Sequence, residues 1–202
     1  MRMVGKALKL GRPATYEDLL AVPEHRVAEI LDGDLYVSPR PASPHAYCAG
    51  MVYRDVVAFH GPGGGGRGPG GWWILFEPEL HLGRDVAVPD IAGWRIERMP
   101  TFPSLAFFEL VPDWACEVAS PSTVHIDRVR KMNLYAREGL RHLWLVDPLA
   151  RVLEVYRLEG GRWVVALSSG GDEKVRAEPF EGSEIDLAGW WPPLAEPDPG
   201  AR

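Results

Sequence analysis

A strand, a helix and a second strand follow one another within residues 114–147, and this unit constrains the fold more than any other feature of the chain. Residues 114–119 are almost wholly apolar, as expected for a short strand buried in the middle of a sheet. The pattern predicts a helix from about residue 123 to residue 138, with Gly139 as its C-cap, and a returning strand over residues 142–147. Such a unit normally forms a right-handed crossover between parallel strands. The sequence therefore predicts a protein of the α/β (α+β) class.

Shorter elements are predicted on either side of this unit. Residues 15–20 have the pattern of a short helix that is capped by Thr15. Asp32 and Gly33 stand between two apolar runs, which is typical of the tight turn of a hairpin, here over residues 27–37. The other predicted elements are a helix over 45–60, strands over 72–82 and 86–94, and a hairpin formed by 152–156 and 163–167.

These elements divide the chain into three expected parts. Residues 1–14 are expected to be a loose lead-in, residues 15–191 a single domain, and residues 192–202 a disordered tail. No apolar run reaches the ~18 residues that a membrane-spanning helix needs. The first residues also lack a continuous apolar stretch of signal-peptide length. We therefore expect a cytoplasmic protein that does not enter membranes.

The composition, with 46% hydrophobic and 25% charged residues, is that of a globular protein and excludes a disordered or fibrous chain. Cys48 and Cys116 lie among apolar neighbours, which favours two buried, reduced thiols over a disulfide. Asn133 is the single asparagine and there is no glutamine, a scarcity of thermolabile amides that favours a thermophile. The preference for arginine over lysine fits either a thermophile or a GC-rich genome.

Asp90, Glu117 and Lys131 are the residues best placed to carry chemistry. Because side chains alternate along a strand, Glu117 shares a face with Ala115 and Ala119, which leaves open space around its carboxylate. Two carboxylates from adjacent strands form the all-oxygen site that Mg²⁺ prefers, with water completing the coordination. Lys131 lies on the following helix, on one face with Asp127 and Tyr135. We therefore expect Lys131 to position an attacking water molecule and to offset transition-state charge.

Each of these three residues also has a purely structural interpretation. Asp90 caps a turn after Pro89 in that interpretation, Glu117 forms a buried ion pair with an arginine, and Lys131 is a solvated helix residue. The catalytic hypothesis predicts that Glu117 is partly exposed in a concave site and not sealed in an ion pair. It also expects the loss of the Lys131 side chain to change stability very little.

The sequence around these residues resembles the Uma-two family of putative restriction endonucleases, within the PD-(D/E)XK nuclease superfamily. The resemblance extends from Tyr16 to Leu187 and is most specific between Glu117 and Pro148. The matching motifs begin with Glu29-Ile-Leu-Asp-Gly-Asp, Ser38-Pro39, Val88-Pro89-Asp90 and Glu117-Val-Ala-Ser-Pro-Ser-Thr123. They continue with Asp127-Arg-Val-Arg-Lys131, Tyr135-Ala-Arg-Glu-Gly139 and Trp144-Leu-Val-Asp-Pro148.

This resemblance implies a restriction endonuclease-like fold, in which helices flank a mixed β-sheet and additional β-hairpins lie near the N- and C-termini. It also implies that Asp90 and Glu117 are the two superfamily acids and the metal ligands. The superfamily lysine usually stands two residues after the second acid, and that position is Ala119 in this chain. The resemblance implies that Lys131 replaces it from the following helix.

Three further residues are candidates for catalytic or supporting roles. Glu29 matches a family acid and is interpreted either as a further metal ligand or as an acid that holds Lys131. Glu77 and His45 are weaker candidates.

The expected partners are DNA and further copies of the chain. The net charge of -6 gives no overall attraction to a polyanion. A cluster that includes Arg128, Arg130 and Arg137 is the candidate nucleic-acid-binding surface, with an ordinary solvated helix face as the alternative. A homodimer or higher homo-oligomer is expected, because cutting both strands of a duplex needs two sites.

These observations lead to two hypotheses of function. The first is a Mg²⁺-dependent endonuclease, which Mn²⁺ can also activate, that hydrolyses phosphodiester bonds of DNA. The second is a non-catalytic protein that keeps the nuclease fold as a nucleic-acid-binding or assembly module.

Overall fold

The computed structural model describes residues 6–63, 68–121 and 123–193. The strands in these ranges form a five-stranded sheet, a six-stranded sheet and a two-stranded ribbon. In chain order the strands are β1 (Lys6–Leu8), β2 (Arg26–Leu31), β3 (Asp34–Pro39), β4 (Trp72–Phe76), β5 (Leu80–Leu82), β6 (Asp85–Ala87) and β7 (Ile91–Arg95). They continue with β8 (Trp114–Val118), β9 (His142–Asp147), β10 (Val152–Glu159), β11 (Arg162–Gly170), β12 (Lys174–Val175) and β13 (Ile185–Asp186).

The first sheet is antiparallel and has the order β1-β3-β2-β6-β5. Its centre is the predicted hairpin of β2 and β3. Asp32 and Gly33 both have positive φ, of 54° and 80°, as the mirror-image turn of a two-residue hairpin requires. The expectation of a loose lead-in over 1–14 is wrong for Lys6–Leu8, which pairs with β3. A short strand can pair with the edge of a sheet through its backbone alone, without a strong pattern of side chains. Three residues are too few to show the alternation from which a strand is predicted.

The second sheet is mixed and has the order β11-β10-β9-β8-β7-β4. Strands β8 and β9 are parallel, as the strand-helix-strand pattern predicts, and the other neighbours are antiparallel. The predicted C-terminal hairpin is present as β10 and β11. The predicted fold class, a mixed sheet with helices and extra hairpins, is therefore confirmed.

The chain crosses between the two sheets at two proline-containing segments that the sequence did not identify. Residues 72–82 and 86–94 were each predicted as one strand, but each divides into two strands that lie in different sheets. Pro78 and Pro89 stand at the two crossings, where a missing backbone N–H interrupts strand pairing. Asp90 consequently lies directly before β7, at the junction of the two sheets, and not at the end of a strand.

Helices cover both faces of the second sheet. On one face α2 (Ser43–Val56), continued by a 3₁₀ turn (Val57–Phe59), packs its buried residues Cys48 and Val52 against Trp114 and Trp144. On the other face lie α3 (Val124–Ile126), a π-helical segment (Asp127–Lys131) and α4 (Met132–Glu138). The core on that face contains Ala115, Leu134, Tyr135 and Leu143. Glu117 is two residues from Ala115 on β8 and shares its face, so its side chain projects toward this second helical layer.

The remaining described elements include the short helix α1 (Tyr16–Leu20), for which Thr15 forms the predicted cap, and a 3₁₀ turn (Leu187–Trp190). Cys48 and Cys116 are buried free thiols, as expected. None of the helices in the described ranges has the length and apolar character needed to cross a membrane. Most of the tail predicted to be disordered, residues 194–202, lies outside the described residues.

Candidate active site

A cavity of about 510 Å³ opens where the two sheets meet. Its wall includes parts of β2, β3, α2, β8 and the π-helical segment, together with the crossing segment before β7. Five carboxylates line it: Glu29, Glu77, Asp90, Glu117 and Asp127. The cavity therefore brings together residues that are far apart in the sequence, and its lining is strongly acidic.

Asp90 is fixed at both carboxylate oxygens. Its Oδ2 accepts a 2.7 Å hydrogen bond from the backbone N–H of Val118, and its Oδ1 lies 3.1 Å from Nε2 of His45. Asp90 directly precedes Ile91, which pairs with Cys116, and Glu117 directly follows Cys116 on β8. The two acids predicted as metal ligands therefore both line the same cavity.

Glu117 lies at the buried end of the site. Its Oε1 accepts a 2.6 Å hydrogen bond from the Tyr135 hydroxyl, and its Oε2 lies 3.0 Å from Nζ of Lys131. The side chain is only 3% exposed. The expectation that Glu117 is partly exposed and not sealed in an ion pair is therefore wrong. The physical reason is that the helical layer closes over β8 and supplies a lysine, not an arginine, as the partner.

Lys131 connects the acids of the two sheets. Its Nζ lies 2.9 Å from Oε1 of Glu29, 3.0 Å from Oε2 of Glu117 and 3.0 Å from the carbonyl oxygen of Val88. The contacts with Glu117 and the Val88 carbonyl are hydrogen bonds, and the contact with Glu29 is an ion pair. The same Glu29 oxygen accepts a hydrogen bond from the Val88 N–H. Glu29 thus contacts Lys131 from the first sheet.

The polar side chains that the helix turns inward lie in the π-helical segment and directly after it. Asp127 and Lys131 are its buried residues, and Tyr135 follows in α4 with no exposed surface. The Asp127 carboxylate lies 3.7 Å from Nζ of Lys131. Short π segments within helices occur frequently at functional sites. The regular spacing of the three residues predicts that they share one face of the helix, but it does not predict the π-helical segment. The sequence analysis assigned no role to Asp127 or Tyr135.

Burial and mutual repulsion control the electrostatics of the acids. Desolvation raises the pKa of Glu117 well above its usual value, and the nearby Asp127, Asp90 and Glu29 raise it further against the attraction of Lys131. Desolvation likewise raises the pKa of Asp127 to about 7. Burial alone would lower the pKa of Lys131, but attraction to Glu117 and Glu29 outweighs it and the pKa is raised. The acids therefore raise one another's pKa, and Lys131 opposes only part of this effect.

The chemistry of this donor set fits a magnesium ion. Within the ranges that the structure describes, no three His, Cys, Asp or Glu side chains converge as a ready-made metal-binding group. Mg²⁺ is commonly bound through one or two carboxylates, with water in the other positions. Asp90 and Glu117 are two carboxylates that line one cavity, and a divalent cation there would reduce the repulsion among the acids.

The other predicted site residues lie at the edge of the cavity or outside it. His45 is buried beside Asp90, whereas Glu77 lies at the rim and pairs with Arg40. The three arginines proposed to bind nucleic acid do not line the cavity. Each is paired with acids: Arg128 with Glu154, Arg130 with Asp32, and Arg137 with Asp32, Asp85 and Glu138.

Arg40 is a cavity residue that sequence reasoning missed. It stands between Pro39 and Pro41, and nothing in that pattern indicates a functional side chain.

The comparisons with known proteins identify the family. The Uma2 (Uma-two) family, described as putative restriction endonucleases, matches residues 13–188. The chain belongs to the Uma2 family. This Uma2 member is also similar to the crystal structure of a putative nuclease of DUF820 from Anabaena variabilis ATCC 29413, with a TM-score of 0.69 and 23% identity. That match covers 88% of this chain and 99% of the other, and it shows that the two chains share a fold. No curated protein matches this Uma2 sequence.

Proposed function

We propose that this Uma2 member is a Mg²⁺-dependent endonuclease, which Mn²⁺ can also activate, that hydrolyses phosphodiester bonds of DNA. The observation that carries the proposal is that Asp90 and Glu117 line one cavity, with Lys131 bonded to Glu117. Membership of a family of putative restriction endonucleases supports the same reaction class.

Asp90 and Glu117 would hold the metal ion. Each carboxylate oxygen can accept more than one partner, so the existing hydrogen bonds leave acceptor capacity for an ion. When bound, Mg²⁺ supplies a more acidic water molecule and offsets charge on the scissile phosphate.

The surrounding side chains orient the two ligands. Tyr135 and Lys131 fix the two oxygens of Glu117, while His45 and the Val118 N–H fix those of Asp90. Such partners hold a carboxylate in the geometry that a metal requires and limit its rearrangement during reaction. Sequence reasoning assigned Lys131 to the attacking water itself. Because its ammonium is buried, bonded to Glu117 and the Val88 carbonyl, and paired with Glu29, we infer that Lys131 is a positioning residue that acts through Glu117 and Glu29.

DNA as substrate and a two-fold assembly are part of this proposal. The family indicates a nucleic acid, and a dimer would bring two sites to the two strands of a duplex. The pairing of Arg128, Arg130 and Arg137 with acids means that DNA binding through them requires exchange of those ion pairs. A cytoplasmic location remains part of the proposal as well.

The test is cleavage of supercoiled plasmid with Mg²⁺ or Mn²⁺, comparing the wild type with Asp90→Asn. Asparagine keeps the shape of the side chain and removes its charge, and we expect a loss of about 10²-fold or more, the scale of losing a group that stabilises the transition state. Asp172→Asn is the matched control, because Asp172 is an exposed acid that does not line the cavity. Both variants should unfold at temperatures close to that of the wild type.

Two results would contradict the proposal. Full cleavage by a folded Asp90→Asn variant would remove Asp90 from the reaction. Absence of cleavage by the wild type with either metal, together with absence of Mn²⁺ binding in calorimetry, would favour the non-catalytic module.

A further inference from the structure

Among the described residues, the cation at the buried end of the candidate active site is already engaged by protein groups. Lys131 donates hydrogen bonds to Glu117 and the Val88 carbonyl, forms an ion pair with Glu29, and is almost completely buried. A polynucleotide carries negative charge that this acidic lining repels. A second cation on the wall would offset the charge of the phosphates that adjoin the scissile one.

Arg40 is the remaining lysine or arginine among the described residues that line the cavity. It follows β3 directly, and its side chain is 57% exposed. Its Nη2 donates a 3.1 Å hydrogen bond to the carbonyl oxygen of Glu24, which anchors one side of the guanidinium. Its Nη1 lies 3.4 Å from Oε2 of Glu77. The other N–H groups have no partner among these contacts and remain available to a ligand.

Glu77 approaches Arg40 from the other sheet. It follows β4, and its backbone N–H donates a 3.0 Å hydrogen bond to the carbonyl oxygen of Asp90. Its φ of 42° lies in the left-handed region, which a residue with a Cβ rarely occupies. Such backbone outliers cluster at functional sites. The Arg40–Glu77 pair therefore joins the two sheets at the rim of the cavity.

The ion pair between Arg40 and Glu77 is exposed and long. Both side chains are substantially exposed, at 57% and 41%, and exposed ion pairs contribute little net stability. The contact is long and involves one nitrogen and one oxygen. A phosphate offers two oxygens to the planar guanidinium, which gives a shorter and stronger bidentate interaction.

We propose that Arg40 binds a backbone phosphate of the polynucleotide substrate, and that Glu77 holds Arg40 until the phosphate replaces it. This inference rests on the proposed function, since it names how the same cavity recruits its substrate. It assigns opposite effects to two neighbouring residues: Arg40 favours binding and Glu77 competes with the substrate.

The experiment measures the anisotropy of a short fluorescein-labelled single-stranded oligonucleotide in Ca²⁺ buffer, with gels to check that the strand stays intact. Arg40→Ala should weaken binding about tenfold, the scale of a lost hydrogen bond to a charged group. It should also reduce the slope of log K against log salt concentration by about 0.7, the value for one phosphate of a single strand. Glu77→Gln should tighten binding by about twofold to fivefold, because a competing exposed ion pair is lost.

Lys174 and Glu184 provide the matched controls. They form a 3.5 Å pair with exposures of 59% and 52%, close to those of Arg40 and Glu77, and neither lines the cavity. Lys174→Ala and Glu184→Gln should each bind within about twofold of the wild type, since distant surface charges act weakly through screened solvent. Thermal unfolding of all four variants checks that they are folded.

The outcomes separate this inference from the proposed function. Arg40→Ala with unchanged affinity and salt slope, Glu77→Gln with weaker binding, or no binding by the wild type would each overturn the role of Arg40. Opposite shifts in the two variants support it even if the wild type cuts no DNA, a result that would count against the proposed function alone. Cleavage by the wild type with an unchanged KM in Arg40→Ala would overturn the Arg40 inference and leave the nuclease intact.

Discussion

Replacing Lys131 with methionine removes the cation that joins the acids of the two sheets. Methionine has a side chain of similar length, so the change deletes the charge with little change in packing volume. In the wild type the ammonium lies 2.9 Å from Glu29 and 3.0 Å from Glu117, and it is 4% exposed. The variant leaves both carboxylates buried without that partner. The sequence-based expectation that loss of this side chain barely changes stability is therefore not what the structure predicts.

The magnitude follows from the burial of the pair. Removing one partner of a buried ion pair costs about 3–5 kcal/mol. In a protein of 202 residues each kcal/mol lowers Tm by about 2–4 °C, so Lys131→Met should lower Tm by about 6–20 °C. Without Lys131, the pKa values of Glu117 and Asp127 should rise further above those of the unfolded chain. Because the folded state then binds more protons than the unfolded state, stability falls as pH rises, and the loss should be larger at about pH 8 than at about pH 5.

The assay is urea and thermal unfolding in metal-free buffer, followed by tryptophan fluorescence. Fully buried tryptophans such as Trp94, Trp114 and Trp144 report on the core. Lys174→Met is the control, because that lysine is 59% exposed and its loss should change the free energy of unfolding by no more than about 0.5 kcal/mol. Adding Glu117→Gln to Lys131→Met should recover part of the lost stability, since it removes one of the unpaired charges.

A loss of less than about 1 kcal/mol at neutral pH would refute this reasoning, because such values are typical of exposed ion pairs. A loss that grows toward acidic pH would refute the electrostatic part, since protonation should relieve the repulsion.

Three other predictions test the site and the assembly. Asp127→Asn should raise the free energy of unfolding in metal-free buffer by up to about 4 kcal/mol at about pH 8 and leave it unchanged near pH 4, because a folded-state pKa of about 7 against an unfolded value of 3.8 makes the ionised carboxylate destabilising. Equal denaturant unfolding curves for the variant and the wild type across this pH range would contradict it. Lys131→Ala should slow plasmid cleavage by about 10²-fold, and adding Ala119→Lys should restore part of the activity by returning a lysine to the usual superfamily position; no difference between the single and double variants would refute the equivalence of the two positions. Light scattering at micromolar concentration should show a homodimer, and a monomer there would remove the two-site model of duplex cleavage.

Local sequence patterns determined much of the fold. The apolar run of β8, the helix and β9 predict the parallel crossover, because a short unit of this kind can pack in few ways. The Asp32-Gly33 pair predicts its hairpin because both residues tolerate positive φ. The same local reasoning places Glu117 on the Ala115 face of β8, since alternation is a property of a single strand. Asp90 and Glu117 were thus candidates before any tertiary contact was known.

Only the tertiary structure decided how these residues are used. Hydrophobic alternation continues through Pro78 and Pro89, so it could not show that the chain passes from one sheet to the other there. The burial of Lys131 depends on Glu29, which reaches it from the first sheet, and the contact of Arg40 with Glu77 likewise joins residues of different sheets. Periodicity describes the environment along one element, whereas a charge in a cavity is governed by groups from several elements at distances of a few ångströms. For that reason the sequence could identify the acids, but not which of them are buried, which cation contacts them or which cation lies exposed at the rim.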